Sequence, residues 1–208
     1  MSRRANWTRG LRSWIEAQIP MEDLLPDQLP AYVDSYVYLF GVLTLSGFIL
    51  LVVSGLALVF AGPQWWHVSA VGHFVNSVHF WAVQAFFFFM VLHLWAQFFM
   101  AAWRDGRSAN WVTGVLLFVF SIVAAFTGFL SQQNFDAQWI ALQGKDAFNA
   151  LGVGSFFNLL NFGQMYGIHV VLMPLLIALL IAVHLLLVRA KGVVKPIDPR
   201  APKGGGRP

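Results

Sequence analysis

The sequence predicts an all-α membrane protein of four transmembrane helices, preceded by an amphipathic helix on the membrane surface. Of the 208 residues, 58% are hydrophobic and only 11% are charged, against about 25% charged in an average soluble domain. Residues 35–103, 108–135 and 147–188 contain no Asp, Glu, Lys or Arg. Because a bilayer span needs about 20 apolar residues, these stretches hold two spans, one span, and one span with an apolar loop.

The N-terminal segment, residues 1–34, is expected to lie on the cytoplasmic side. Within residues 5–25, apolar side chains such as Trp7, Leu11 and Trp14 recur at helical spacing among charged ones, which favours an interfacial amphipathic helix. Several prolines follow and end any helix before the membrane. The layout does not match a cleavable signal peptide, because the first long apolar run starts behind an acidic stretch.

A membrane domain is predicted at residues 35–190. Its four spans are expected at residues 36–60, 78–102, 111–130 and 165–188. An outer loop at 61–76 carries a Trp pair suited to the aromatic belt, and a longer outer loop runs from 131 to 163, a length that is more often functional than idle. The tail, residues 191–208, is rich in Pro, Gly, Lys and Arg and is predicted to be disordered.

The distribution of basic residues predicts the orientation of the spans. Twelve of the 13 Lys and Arg residues fall in the N-terminal segment, in the turn after the second span, or beyond the fourth span. With four spans these regions share one side of the membrane, and a basic excess marks the cytoplasmic side. Both termini are therefore expected in the cytoplasm. The net charge of +4 reflects this topology rather than a nucleic-acid partner.

Four histidines lie inside the predicted spans and form two pairs. His79 and His93 are 14 residues apart on the second span, and His169 and His184 are 15 apart on the fourth. At 100° and 1.5 Å per residue, each pair returns to within about 40–60° of one face after a rise of about 21–22.5 Å. Because these two spans run parallel, we expect His79 to face His169 near the outer side. His93 should then face His184 near the cytoplasmic side.

One explanation of these histidines is hydrogen bonding between helices. However, four ionisable side chains in otherwise uncharged spans are costly and usually functional. Zinc or copper prefers a compact cluster of ligands, whereas each pair is widely separated along its helix. Two b-type haems, each held by two imidazoles, fit the pattern best. His67 and His73 fall in the first outer loop and are not expected to be ligands. The chain has no cysteine, which excludes iron–sulfur ligation and thioether-attached haem.

The other two spans carry glycines at the same period. Gly41 and Gly55 are 14 residues apart on the first span, as are Gly114 and Gly128 on the third. A flat porphyrin between four helices needs clearance on the two helices that do not ligate it, and glycine gives that clearance. Close packing of helices through small residues is the alternative. The shared spacing with the histidines favours the cofactor.

Over about residues 30–195 the sequence resembles the N-terminal, four-helix half of cytochrome b from Rieske–cytochrome b complexes, the bc and bf enzymes. The resemblance rests on SVHFWAVQAFFFFMVLH and GIHVVLMPLLIALLIAVHLLLVR, which contain the four histidines. The glycine segments GVLTLSGFILLVVSG and WVTGVLLFVFSIVAAFTG add to it. The 15-residue spacing on the fourth span, the WVTG opening and the end after VRAKG are similar to the split, plastid-type protein. In that type the remaining helices form a separate subunit.

The resemblance implies an outer, low-potential haem b on His79 and His169 and an inner, high-potential haem b on His93 and His184. It places Arg189 beside a propionate of the inner haem. It also implies quinone and quinol as substrates, and a Rieske iron–sulfur protein or c-type cytochrome as partner. The complex would be dimeric and would include the subunit with the remaining helices. Such a chain is the haem-bearing part of a quinol:acceptor oxidoreductase and is not active alone.

Three places depart from the family pattern. Asn76 stands where the family has a basic residue three positions before the first ligand. Tyr38 stands about where the plastid type attaches a third haem through cysteine, so that attachment is excluded. After the third span, the family's Gly-Tyr-x-Leu-Pro-Trp segment is replaced by GFLSQQNFDAQW, which lacks Pro-Trp.

The favoured function is therefore transmembrane electron transfer as the cytochrome b subunit of a quinol-oxidising complex. A second function keeps both haems in a membrane anchor that connects the quinone pool to a peripheral dehydrogenase or reductase, and the missing Pro-Trp favours it somewhat. A transporter or assembly scaffold is a third, and the paired histidines argue against it.

Overall fold

The chain folds into a bundle of long helices. A computed structural model describes Gly10, Ser13, Trp14, Glu16, Ala17, Val33 and residues 35–197. The amphipathic helix predicted within residues 5–25 therefore lies mostly outside the described residues, as do residues 198–208.

The residues from 35 to 197 contain helices and no strand. In chain order the helices are α1 (Tyr36–Ala61), α2 (Trp65–Val68), α3 (Ala70–Phe99), α4 (Ser108–Leu130), α5 (Phe135–Ala150) and α6 (Phe162–Lys191). Four of them, α1, α3, α4 and α6, are long and apolar enough to cross a membrane. The predicted four-span, all-α fold is confirmed.

The four spans form two antiparallel hairpins. Helix α1 packs along α3, and α4 packs along α6, whereas α3 and α4 approach each other at few positions. The start of α1 and the end of α6 lie at one end of the bundle, called here the tail end. The opposite end carries α2 and α5 and is called the loop end.

Buried apolar side chains lie in the middle of the bundle and at the loop end. In the middle, Phe86 and Met90 of α3 and Met173 and Ile177 of α6 are almost completely buried. At the loop end, a hydrophobic cluster contains Leu130, Ala141, Leu159 and Met165. Many other large apolar side chains of the spans are exposed, as expected of helices whose solvent is lipid.

Two elements differ from the sequence-based expectation. Helix α3 begins eight residues before the predicted start of the second span, because the Ser69 side chain caps it by accepting a hydrogen bond from Gly72 N at 3.3 Å. Part of the expected outer loop is the 16-residue helix α5, which Asn134 caps by accepting a bond from Ala137 N at 2.9 Å. The negative charge of Asp136 in the first turn further stabilises the N-terminus of α5.

Helix α6 contains one turn of π-helix at Ile168–Leu172, where Met173 N–H donates to Ile168 O, five residues back. Pro174 follows directly. It has no N–H to donate, and its ring clashes with the carbonyl four residues earlier in a regular α-helix. A π-turn takes up one extra residue within an α-helix. The 15 residues between His169 and His184 therefore advance about as far round the helix as the 14 between His79 and His93.

The chain turns back across the tail end after α6. Gly192, with φ +65°, ends the helix as glycine commonly does. Residues 192–195, called here the tail strap, then receive hydrogen bonds from three side chains. Tyr38 Oη donates to Val194 O at 2.7 Å, Arg107 Nε donates to Gly192 O at 3.2 Å, and Arg104 donates to Lys195 O. The composition predicts disorder from residue 191. In the strap, Val194 is 2% exposed, while Gly192 and Lys195 are exposed.

Candidate haem-binding sites

The four histidines of the spans are brought together at two levels, and each one faces a glycine of its hairpin partner. The pairs of facing residues are Gly55 with His79, Gly128 with His169, Gly41 with His93, and Gly114 with His184. The first two lie toward the loop end and the last two toward the tail end. The structure thus places all eight predicted residues in two layers, each with two histidines and two glycines.

In the loop-end layer the rings of His79 and His169 have centres 6.2 Å apart and planes perpendicular to each other. Metal–imidazole bonds of about 2 Å, with each nitrogen about 1 Å from its ring centre, put the centres of two rings on one metal about 6 Å apart. At the observed separation, His79 and His169 would be able to hold one metal ion between them.

The hydrogen bonds of the loop-end histidines determine which ring nitrogen carries the proton. His169 Nδ1 lies 2.9 Å from the carbonyl of Ala124, and a carbonyl can only accept, so Nδ1 donates. The lone pair of a neutral imidazole is then on Nε2. Metal-bound histidines commonly make this kind of bond from the other nitrogen.

His79 also carries its proton on Nδ1, and here the acceptor is a serine. Its Nδ1 lies 2.9 Å from Ser54 Oγ. The single hydroxyl proton of Ser54 is directed to the carbonyl of Leu50 at 2.7 Å, so the serine oxygen accepts from the imidazole. Ser54 was not among the residues predicted for the site. A hydroxyl next to Gly55 was a possible signal, but its partner could not be identified from sequence.

The tail-end layer has a similar arrangement with fewer hydrogen bonds. A Cβ added to Gly41 would lie 3.1 Å from His93 Cε1, and one added to Gly114 would lie 3.4 Å from His184 Cε1. His93 lies close to His184. The Nδ1 atoms of both are buried and make no hydrogen bond with the described residues.

Space against the histidine rings is tightest at the loop end. A Cβ on Gly128 would contact His169 Cε1 and come within 2.8 Å of its Nδ1, which is closer than side-chain atoms pack. At Gly128, glycine therefore leaves the His169 ring room that any larger residue would remove. Together, the ring separation, the lone pairs on Nε2 and the glycine clearance fit a haem in the loop-end layer. The tail-end layer repeats the arrangement of two histidines against two glycines.

The remaining predicted residues lie apart from these layers. Arg189 is exposed in the last turn of α6, five residues beyond His184. His67 and His73 are also exposed, on α2 and near the start of α3.

A cavity of about 520 Å³ opens at the loop end between α5 and the start of α6. Leu130, Trp139, Leu142, Leu159 and Phe162 are among its lining residues, with Gln133 and Gln138 as polar members. The length of this loop predicts a function, but the cavity depends on α5, which the pattern of the loop sequence does not indicate.

Comparisons with known proteins show which proteins this chain resembles. The profile of the family described as "Cytochrome b(N-terminal)/b6/petB" matches residues 84–204, more than half of the chain. The cytochrome b6 of Heliobacterium modesticaldum is 25% identical over 89% of this chain and 100% of that protein. A cytochrome bc complex cytochrome b subunit of Chlorobaculum thiosulfatiphilum is 28% identical over 82% of this chain but only 45% of its own length.

Among solved structures, the chain is similar in fold to one titled "Hyperthermophilic respiratory Complex III", with a TM-score of 0.68 and 21% identity. That likeness covers 97% of this chain and 57% of the solved chain.

Proposed function

Because this chain belongs to the cytochrome b (N-terminal)/b6 family, we propose that it is the cytochrome b subunit of a quinol-oxidising membrane complex and transfers electrons across the membrane through two b-type haems. The observation that carries this proposal is the pairing of four intramembrane histidines in two layers, each opposite two glycines.

His79 and His169 would hold the loop-end haem, and His93 and His184 the tail-end haem. A bound haem b supplies a reversible one-electron carrier. The residues of the chain present neutral imidazoles, keep the loop-end rings in one orientation through Ser54 and the Ala124 carbonyl, and surround both layers with apolar helices that exclude water. Burial and bis-histidine ligation are the means by which the protein sets the haem potentials.

The loop end would face the outside of the cell. The tail end holds the basic turn with Arg104 and Arg107 and the strap that follows α6, so the excess of positive charge lies there, as on cytoplasmic faces. Electrons passing from the loop-end layer to the tail-end layer would then cross most of the membrane. Moving one charge fully across costs about 2.3 kcal/mol per 100 mV.

Quinol is the proposed substrate, with quinone as its oxidised product and as the acceptor near the tail end. The loop-end cavity of about 520 Å³ is within the size range of small-molecule sites, about 300–1,000 Å³. Its mostly apolar lining and two glutamines suit a quinol ring with polar oxygens on an apolar molecule. It opens beside α5 at the loop end.

Partner subunits are required by this function. A relative named as a cytochrome bc complex cytochrome b subunit matches this chain over only 45% of its own length, and we propose that the helices of such a subunit that have no counterpart here belong to a partner. Quinol releases two electrons. One would pass to the haems, and a Rieske iron–sulfur protein or a c-type cytochrome would take the other. The complex would be dimeric.

The test is reduction of the haems by quinol in the complex purified with its native partners. A short-tailed quinol should produce the absorption bands of reduced b-type haem, and an inhibitor of quinol oxidation should slow their appearance. Redox titration should resolve two b-type components. Absence of these bands, or bands that quinol does not change, would contradict the proposal.

A second function is favoured by one specific observation, the segment GFLSQQNFDAQW that lacks the family's Pro-Trp. The chain would then be a dihaem anchor that connects the quinone pool to a peripheral dehydrogenase or reductase. Copurification distinguishes the two: a Rieske protein and a further helical subunit support the first function, and a molybdenum or nickel enzyme supports the second.

A further inference from the structure

Two amide side chains join the hairpins at the loop end. Asn76 Nδ2 donates to Gln132 Oε1 at 3.0 Å, and Gln132 Nε2 donates to Asn76 Oδ1 at 3.1 Å. This reciprocal pair, called here the amide clasp, connects α3 to the turn that follows α4. The two residues are 56 positions apart in sequence, so only the folded bundle brings them together.

The clasp lies directly above the loop-end layer. Asn76 precedes His79 by three residues on α3, so the two share a face, with Asn76 one turn nearer the loop end. Gln132 follows Gly128 by four residues, and Gly128 contacts His169. The two amides therefore lie on the loop-end side of His79 and of Gly128.

Each amide keeps hydrogen-bonding capacity beyond the clasp. A primary amide has two N–H donors and an oxygen with two lone pairs, and the clasp uses one donor of each. The described residues give neither amide another hydrogen bond. Both side chains are half-buried. One N–H of each amide is thus available to an acceptor at the end of the layer.

Positive charge is scarce at this end of the bundle. Residues 35–103 contain no Lys or Arg, and Lys145 of α5 is the single one between residues 108 and 188. The described residues of the tail end carry five: Arg104, Arg107, Arg189, Lys191 and Lys195. A carboxylate at the loop end would therefore receive its hydrogen bonds mainly from uncharged N–H and O–H groups.

We propose that the amide clasp receives the carboxylates of the loop-end haem, as a neutral site where a cation is absent. This inference rests on the proposed function. A haem carries two propionates, and burying carboxylates in hydrocarbon is costly, so Asn76 and Gln132 at the loop end would donate hydrogen bonds to them. Hydrogen bonds from amides satisfy the carboxylates without cancelling their charge. The retained negative charge disfavours reduction of this haem, since second-shell hydrogen bonds and charge tune haem potentials.

The experiment is redox titration of the haem absorbance in the purified complex carrying Asn76→Arg, Asn76→Asp or, as a control, Gln143→Arg. Gln143 is exposed on α5, so the Gln143→Arg control adds the same positive charge at another place at the loop end. Asn76→Arg should raise the equilibrium constant for reduction of the loop-end haem at least threefold, which is about 28 mV for one electron at 59 mV per tenfold. Asn76→Asp, which keeps the shape and adds negative charge, should lower it.

The tail-end haem and the Gln143→Arg variant should both stay near their wild-type potentials. Suppose that both Asn76 variants leave the potential of the loop-end haem unchanged while both haems are present. The clasp then only links α3 to the turn after α4, and the inference is overturned. The proposed function stands in that case. If the wild-type complex shows no pair of b-type haems, both are overturned.

Discussion

At the scale of single residues, Ser54 determines how His79 is held. Its proton is directed to the Leu50 carbonyl, so its oxygen accepts from His79 Nδ1 and leaves Nε2 facing the layer. Groups that orient a ligand in this way typically change metal affinity by about 10–100-fold when removed. Helix propensity differs little between Ser and Ala, so the effect on folding should be small.

Ser54→Ala should therefore weaken retention of the loop-end haem by about tenfold, measured as loss of its absorbance band when the complex is diluted in detergent. Ser46→Ala is the matched control, because Ser46 is on the same helix and bonds only the carbonyl of Val42 at 3.0 Å. Equal retention in both variants would contradict the role given to Ser54.

The glycines differ in how much space they leave. A Cβ on Gly128 would collide with His169, whereas one on Gly114 would be 3.4 Å from the nearest His184 atom, an ordinary contact. Overpacking of this kind costs about 1–3 kcal/mol. Gly128→Ala should thus lose the loop-end haem, and Gly114→Ala should keep both.

Haem content per chain and the two absorbance components measure this difference. Gly167→Ala is a further control on α6, because a Cβ there meets nothing within 4 Å. A similar loss in all three variants would mean that clearance beside the histidines is not what the glycines provide.

At the scale of elements, the π-turn at Ile168–Leu172 explains why the two histidine spacings differ by one residue. Deletion of Val171 should convert this turn to regular α-helix and leave His169 and His184 with the 14-residue spacing of α3. Deletion of Phe88, an exposed residue between His79 and His93, has no π-turn to absorb it and rotates one histidine by about 100°.

Both b-type absorbance components should persist after deletion of Val171, while at least one should be lost after deletion of Phe88. Loss of a haem in the first variant with retention in the second would show that the extra residue is not taken up by the π-turn.

The elements also show what the sequence could and could not establish. Charge-free stretches and the periods of 14 and 15 residues predicted four spans and the residues of both layers, because burial in lipid and ligation impose strong patterns. The start of α3 depended on a single cap at Ser69, and α5 on Asn134 with Asp136, signals that are clear only once neighbouring residues are known to be helical. The bonds of Asn76 and Tyr38 join residues 56 and 156 positions apart, and no local pattern encodes them.

At the scale of the whole molecule, the tail strap connects the start of α1, the turn before α4 and the end of α6. Tyr38→Phe removes the donor to Val194 O and should lower the stability of the bundle by about 1 kcal/mol, the net contribution of a typical hydrogen bond. Tyr36→Phe is a close control, since Tyr36 is 80% exposed.

Thermal loss of haem absorbance in detergent should show a lower midpoint for the Tyr38 variant alone. If both variants melt together with wild type, the strap does not contribute to holding the tail end.

The outer surface of the bundle is the other large-scale feature. At most 17% of the residues in each span's most apolar window are buried within the chain, so lipid or partner subunits must cover the rest. Such exposure of apolar side chains is expected of helices whose solvent is lipid.

The central claim is that two layers of paired imidazoles each hold one haem. The most direct measurement is haem b content per chain in the intact complex, compared among wild type, His79→Leu and His184→Leu. We predict two haems in wild type and one in each variant, with a different absorbance component lost in each. A wild-type complex without two haems, or variants that retain both, would contradict the account.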